Sequence, residues 1–376
     1  MLTTKPITGR LHFLDVLRAF AILMMLQGHF VHSTLGVEFR DPDSLIYTSW
    51  AFMRGLTAPV FFTTAGLVFT YLLLGDGRPP TQNLRLQKGL RRGLLLLAWG
   101  YVLKINLFHL LSGYLSDWVF ALDVLHCIGI ALWIICALYV VHYYLKIPAS
   151  LIFLAAGLSI FLLDPSRKEL DVSQWPSFFQ HYVLTDFGSV FTPLPWAGYA
   201  CLGAVFACLL RWRPTLAYGH FLPASMIALG LIIHYNSSWF FMELYRLSEW
   251  YGFRAIAYSN TLFMRTGHVL ILMASFMWLV PRIGRIPNLV RQIGTETLTI
   301  YCIHYVVLYG TWLGIGLSHP FYEQLSPAAA TTGALLFVLS FVMLVYYLEP
   351  IRAKLAQITA WSRSLPARIR AWVIER

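Results

Sequence analysis

Predominantly apolar runs of roughly 18 or more residues recur along the whole chain, and they limit the fold more than any other feature. A helix needs about 20 such residues to cross the hydrocarbon core of a bilayer. The composition agrees, because 58% of the residues are hydrophobic and only 12% are charged, whereas soluble domains contain about 25% charged residues. The sequence therefore predicts an all-α fold, a polytopic integral membrane helix bundle.

About ten transmembrane helices are predicted from these runs, and together they form one domain over residues 1–348. The predicted spans are 11–35, 47–74, 91–112, 118–143, 148–163, 190–210, 219–235, 262–280, 296–318 and 327–348. Residues 164–189 and 236–261 are expected to be outer loops. The second of these is aromatic, which suits either an interfacial belt or the stacking of sugar rings. Residues 349–376 are predicted to form a basic, amphipathic tail on the cytosolic membrane surface.

The distribution of Lys and Arg orients the predicted bundle. With a cytosolic N-terminus, 19 of the 28 Lys and Arg residues lie in cytosolic segments, five in outer segments and four within spans. Such an excess in cytosolic loops is usual for membrane proteins, so both termini are predicted to be cytosolic. The net charge of +11 then reflects membrane orientation rather than nucleic-acid binding. The expected location is a bacterial inner membrane, with a eukaryotic organelle as the alternative.

The first span carries the densest set of polar residues. Asp15, Arg18, His29 and His32 share one face of the predicted helix, because residues three or eleven positions apart lie on nearly the same side. Arg18 and His29 are then about 16 Å apart along the axis, with Arg18 toward the cytosol. A charge at mid-bilayer costs roughly 2.5–3.5 kcal/mol, so these residues are candidates for function. The alternative is a satisfied polar seam between packed helices.

Other predicted spans repeat this pattern, mostly in their outer halves. The polar residues are Arg54, Lys104, His109, Asp123, His126, Arg265, His268 and His304. Their common depth predicts a hydrated vestibule that opens away from the cytosol, although each is alternatively a packing residue.

Cationic and metal-binding patterns give two further expectations. At the cytosolic face, Arg91, Arg92 and Arg285 suit phosphate binding, although they are also orientation signals. The sequence contains no recognised metal-ligand spacing, so no metal is expected.

Several segments resemble motifs of a known superfamily, in the expected order. Residues 14–19 with His29 resemble the first-helix signature of transmembrane acyltransferases, and residues 59–66 resemble its second-helix motif. Segments 123–129, 193–199 and 298–304 are similar to the branch that contains heparan-alpha-glucosaminide N-acetyltransferase. The acyltransferase 3 family is a more distant relative.

The resemblance implies a membrane-bound acyltransferase that moves an acetyl group from cytosolic acetyl-CoA to a sugar or glycan acceptor on the extracytoplasmic side. His29 would be the catalytic histidine, with Arg18 as a catalytic and cofactor-binding partner that Asp15 orients. Further predicted site residues are, for acetyl-CoA, Arg91, Arg92 and Arg285 and, for the acceptor, Arg54, Asp123, His126, Arg265 and His304. The expected partners are the lipid bilayer, the acyl-CoA and the acceptor, with a homodimer as one possible assembly.

A transporter is the alternative from a different functional class. Buried cations such as Arg18 and Arg54 would equally suit a secondary transporter of a small organic anion. Against it, the sequence shows no internal repeat and no paired interrupted helices in matching halves.

Overall fold

The computed structural model describes residues 11–374, which are mostly helical. The α-helices of this part of the chain are α1 (His12–Thr34), α2 (Leu45–Gly55), α3 (Thr57–Asp76), α4 (Leu84–Val102), α5 (Leu107–Leu111), α6 (Val124–Leu145), α7 (Ala149–Leu162), α8 (Asp164–Lys168), α9 (Ser177–Val183), α10 (Pro193–Trp212), α11 (Phe221–Ser248), α12 (Tyr251–Tyr258), α13 (Thr261–Ile283), α14 (Asn288–Thr295), α15 (Thr297–Tyr309) and α16 (Pro327–Ile374). Short 3-10 helices cover Val37–Phe39, Asp117–Phe120, Pro214–Tyr218 and His319–Phe321. The predicted all-α class is therefore confirmed for the described residues.

Six helical segments of the described chain are long and apolar enough to cross a membrane. They are His12–Thr34, Leu45–Asp76, Asp117–Leu145, Pro193–Trp212, Thr261–Ile283 and Pro327–Gln357. Helices also occupy the other four predicted spans, but α7 and α15 are short and α4 begins with a cationic turn. The count of ten and the cytosolic placement of both ends stay predictions. Lys5, Arg10 and Arg376, which contribute to the charge asymmetry, lie outside the described residues.

Two predicted spans are interrupted in the structure. The second consists of α2 and α3, which meet at Leu56, and Pro59 in the first turn of α3 has no N–H for a continuous helix. The third begins earlier than predicted and ends at Val102, and Asn106 caps the separate helix α5 with its side chain. Arg54 and Lys104, two of the polar residues selected from the sequence, lie beside these breaks.

The predicted outer loops also differ from the structure. Residues 236–261 are mostly helix, because α11 runs to Ser248 without a Pro or Gly in its second half and α12 follows almost directly. The ninth predicted span ends early, at Tyr309, where Gly310 adopts a φ of +63° and closes the helix in the left-handed conformation.

Helix α1 lies at the centre of the bundle. It packs against α2, α3, α13, α14, α15 and α16. Its polar face is therefore surrounded by other helices, so the polar residues of α1 meet partners from distant parts of the sequence.

A close crossing of α3 and α10 supports one wall of the bundle. A Cβ added to Gly66 would lie 1.9 Å from the carbonyl oxygen of Ala200, and one added to Gly203 would lie 2.0 Å from that of Thr63. The two backbones can approach this closely only because both positions are glycine. Gly66 of the second-helix motif thus has a packing role.

The C-terminal segment continues the last long helix. Helix α16 passes Glu349 without a break and extends to Ile374. The boundary of the basic tail at residue 349 and its amphipathic character stay predictions, since most side chains beyond residue 357 are outside the described part.

Candidate functional site

A cavity of about 1060 Å³ runs along α1. Its walls come from α1, the end of α2, α3, α4, α6 and α15, and the segments 104–119 and 310–322 contribute to one end. The lining includes many of the polar residues selected from the sequence, namely Arg18, His29, His32, Arg54, Arg92, Lys104, His109 and Asp123. This volume is at the upper limit of typical small-molecule sites, which measure about 300–1,000 Å³, so a large ligand or two ligands would fit.

Arg18 lies toward the end of the cavity that is predicted to be cytosolic. Its Nη2 donates a hydrogen bond of 3.1 Å to Oγ1 of Thr297, the first residue of α15. Arg92 of α4 lines the same cavity. Two guanidinium groups from different helices thus face one space, an arrangement that suits phosphate oxygens.

His29 is hydrogen-bonded to a second histidine. Its Nδ1 lies 3.0 Å from Nε2 of His304, and the ring centroids are 5.2 Å apart. His304 is fully buried behind His29, whereas His29 itself lines the cavity. The pair leaves Nε2 of His29 as the ring nitrogen available to a substrate.

Arg54 is held against the residues next to His29. A Cβ on Gly28 would lie 3.1 Å from Cγ of Arg54, so the stem of this arginine packs where Gly28 has no side chain. One turn earlier on α2, Trp50 donates a 2.9 Å hydrogen bond from Nε1 to Gln27, and its ring lies 5.7 Å from the Arg54 guanidinium carbon. The guanidinium lines the cavity.

A second polar cluster lies across the cavity from α1. The Asp123 carboxylate is 2.9 Å from Nδ1 of His126 through Oδ1, and it accepts a 3.3 Å hydrogen bond from Tyr301 through Oδ2. Asp123 also caps α6 through the backbone N–H groups that follow it. Lys104 is buried nearby, where its Nζ donates to the carbonyl of Ala121. Both oxygens of Asp123 are therefore engaged within the protein.

Ionic contacts fix the outer end of α1. Arg40 donates to the carbonyl oxygens of His32 and Leu35 at distances of 3.0 and 2.8 Å, and it forms a 3.1 Å ion pair with Glu323. Cations near a helix C-terminus are favourable because they meet its unpaired carbonyl groups. Arg40 thus holds the C-terminal end of α1, beyond the turn that carries His29.

Several predicted site residues do not line this cavity. Asp15 is buried where α1 crosses α14, and His126 lies behind Asp123. Arg265 reaches toward Gly55 but is not part of the cavity lining. Arg91 and Arg285 are exposed, and Arg91 precedes Arg92 by one position, a rotation of about 100° on the helix that turns it away from the cavity.

Some cavity residues were not identified from the sequence. Tyr301, Tyr305 and Tyr309 form a stripe on α15, and Thr297 begins it. Their spacing of four residues places them on one helix face, and this signal was available in the sequence. The role of Trp50 required the fold, because its partner Gln27 is on another helix.

The residues that the structure describes contain no group of three or more His, Cys, Asp or Glu side chains that could hold a metal ion. The cationic groups at one end of the cavity suit the phosphates of a ligand, and the histidine further along suits proton transfer.

A comparison with protein families gives one match. The model of the family described as "Heparan-alpha-glucosaminide N-acetyltransferase, catalytic" matches residues 10–232, which is more than half of the 376-residue chain. The match includes Arg18, His29, Arg54, Arg92 and Asp123. A comparison with curated proteins found no match.

Proposed function

The chain belongs to the heparan-alpha-glucosaminide N-acetyltransferase catalytic family, and from this premise we propose that it transfers an acetyl group from cytosolic acetyl-CoA to a sugar or glycan acceptor across the membrane. The observation that carries the proposal is the continuous cavity, which has Arg18 and Arg92 toward one end and the His29–His304 pair further along. The groups proposed to bind phosphate and to transfer a proton thus line one cavity, and Arg18 and His29 lie about 16 Å apart along α1.

Arg18 and Arg92 are the proposed ligands for the phosphates of the donor. Both guanidinium groups line the cavity, and Thr297 orients that of Arg18. Arg91 and Arg285 stay candidates for contacts at the exposed face, where a nucleotide could extend beyond the cavity. Asp15 would support Arg18 from the first turn of α1.

His29 is the proposed general base, with His304 as a positioning residue. For Nε2 of His29 to accept a proton, the ring proton must reside on Nδ1, which then donates to Nε2 of His304. The acceptor oxygen or nitrogen attacks the thioester carbonyl carbon while Nε2 takes its proton. The carbon–sulfur bond then breaks, and the departing thiolate receives that proton, so the products are the acetylated acceptor and CoA.

Covalent transfer through His29 is the other route that this geometry supports. Nε2 would first attack the thioester carbonyl, forming acetyl-His29 and releasing CoA, and the acceptor would then displace the histidine. Both routes need the same hydrogen bond from Nδ1 to His304. Exchange of labelled CoA into acetyl-CoA without any acceptor is expected only for the covalent route.

The acceptor would bind at the end of the cavity beyond His29. Aromatic rings of Tyr114, Trp118 and Tyr322 and the polar groups of Lys104 and His109 line this end. Such a combination suits a sugar, because its ring faces stack and its hydroxyls form hydrogen bonds. Asp123 and His126 would organise this wall, while Arg265 would act only at the periphery.

Reconstituted vesicles would test the proposed function. With glucosamine enclosed and acetyl-labelled acetyl-CoA supplied outside, we expect enclosed N-acetylglucosamine that depends on His29. Uptake of an organic anion without any requirement for CoA, together with no acetyl transfer, would instead assign the chain to the transporters.

A further inference from the structure

Arg54 and Arg40 are two cations near the outer end of α1, and their side chains have different partners. Arg40 forms an ion pair with Glu323 and donates to backbone carbonyls at the end of α1. Among the residues that the structure describes, the Arg54 guanidinium has no carboxylate partner and donates no hydrogen bond, and the ring of Trp50 lies 5.7 Å from its central carbon. Its N–H groups therefore remain available to whatever occupies the cavity that it lines.

Two contacts set the position of this guanidinium. The stem packs on Gly28, the residue directly before His29. Trp50 lies against the guanidinium and is itself fixed by Gln27, directly before Gly28. The group is close enough to interact electrostatically with the rings of both His29 and His32. Consecutive residues of α1 thus hold Arg54 beside the proposed base.

Acyl transfer is accelerated by a hydrogen-bond donor that faces the carbonyl oxygen of the thioester, close to the general base. When the acceptor attacks the thioester, the carbonyl oxygen takes up the electron pair of the C=O bond and becomes an oxyanion. Preorganised hydrogen-bond donors that face this oxygen stabilise the transition state more than the ground state. The ionisable side chains close to His29 are those of His32, His304, Tyr309 and Arg54. Of these, Arg54 alone carries a permanent positive charge.

We propose that Arg54 is a catalytic residue that stabilises the oxyanion on the transferring acetyl group, rather than a ligand of the acceptor. The assignment rests on the proposed function. His29 Nε2 removes the proton from the acceptor, the Arg54 guanidinium binds the oxygen that becomes negative, and the C=O bond re-forms as CoA thiolate departs and takes the proton from His29. Gly28 then supports catalysis indirectly, because a side chain there would press on the stem of Arg54 and shift its guanidinium.

Binding of two CoA compounds to the purified full-length protein tests this assignment without an acceptor. Carboxymethyl-CoA carries an anionic oxygen near the acetyl position, whereas CoA carries none. We expect Arg54→Gln to weaken carboxymethyl-CoA binding roughly 10- to 100-fold relative to wild type, the effect of losing a hydrogen bond to a charged group, while CoA binding changes less than about threefold. Arg40→Gln removes an equal charge near the outer end of α1. We expect it to keep the wild-type ratio of the affinities for carboxymethyl-CoA and CoA.

The outcomes separate the two claims. An equal loss of both compounds in Arg54→Gln, or no loss of either, would overturn the oxyanion assignment. No binding of CoA by the wild type would overturn the proposed function itself.

Turnover with glucosamine as the probe acceptor gives a second readout. We expect kcat of Arg54→Gln to fall roughly 100- to 1,000-fold with little change in the glucosamine KM. A raised KM with unchanged kcat would assign Arg54 to the acceptor and contradict the proposal. Gly28→Ala should reproduce part of the kcat loss with Arg54 still present, and partial rescue of Arg54→Gly by free guanidinium would support a direct role.

Discussion

His29 and His304 form a 3.0 Å hydrogen bond between Nδ1 and Nε2, although 275 positions separate them in the chain. His304 is fully buried and contributes no ring surface to the cavity, whereas His29 lines it. This division gives the two histidines different roles. His29 reaches the substrate, and His304 fixes its tautomer and ring orientation.

Replacement of each histidine should therefore have a different effect. We expect His29→Ala to lower kcat roughly 100- to 10,000-fold, the usual contribution of a general base. His304→Ala should lower kcat less, with little change in acetyl-CoA affinity. His304→Gln should recover part of the activity, because the glutamine Oε1 can accept the hydrogen bond from Nδ1 of His29 near the position of the lost Nε2. Steady-state kinetics on vesicles measures all three variants, and equal activity of His304→Ala and wild type would contradict the positioning role.

Two adjacent arginines on α4 give a matched test of donor binding. Both arginines are exposed and carry the same charge in the half of α4 that is predicted to be cytosolic, but of the two only Arg92 lines the cavity. We expect Arg92→Ala to weaken acetyl-CoA binding roughly tenfold or more, since a charge-assisted hydrogen bond to phosphate is lost. Arg91→Ala should weaken it less than about threefold. Equal losses in the two variants would show a general electrostatic effect of the cytosolic face.

The glycine of the second-helix motif should affect stability rather than chemistry. Gly66→Ala places a methyl group 1.9 Å from the backbone oxygen of Ala200, and a backbone atom cannot move aside as a flexible side chain can. Overpacking of this kind costs about 1–3 kcal/mol or more, so we expect a lower melting temperature and lower yield. Gly219→Ala is the control, because its nearest neighbour would be 3.9 Å away. Unchanged melting of Gly66→Ala would refute the close crossing of α3 and α10.

Acid should destabilise α9, the helix that carries His181. Burial, and then repulsion by Lys104, lowers the pKa of His181 below its usual value of about 6.5. Because the folded protein binds this proton less readily than the unfolded chain, the stabilisation is complete above about pH 6.5 and decreases as the pH falls. The Ser189 hydroxyl donates to the carbonyl of His181 and accepts from the N–H of Leu122, the residue before Asp123. These hydrogen bonds connect α9 to the wall of the candidate site.

Melting curves between pH 5 and pH 8 would measure this dependence. We expect the melting temperature of wild type to decrease below about pH 6.5, and the decrease to be smaller in His181→Gln, which has no titratable ring. The same pH profile in both proteins would exclude His181 as the source.

Much of the site could be predicted from periodicity along α1. Arg18, His29 and His32 face the cavity as expected, because an amphipathic stripe depends only on helical geometry. The partners of these residues could not be predicted, since Thr297, His304 and Arg54 come from other helices whose packing is a property of the whole bundle. The breaks at Leu56 and after Val102 were missed because apolar composition continues through them. Consecutive cations such as Arg91 and Arg92 look alike in sequence, and only the rotation of α4 separates them.

Calorimetric titration of acetyl-CoA into wild type, Arg18→Ala and His29→Ala tests the central claim most directly. The account predicts binding to wild type, a loss of roughly tenfold or more in Arg18→Ala, and nearly unchanged affinity in His29→Ala, because Arg18 holds phosphate and His29 acts on the reacting group. Absence of acetyl-CoA binding to the wild-type protein would contradict the account and leave anion transport as the better explanation of the cationic cavity.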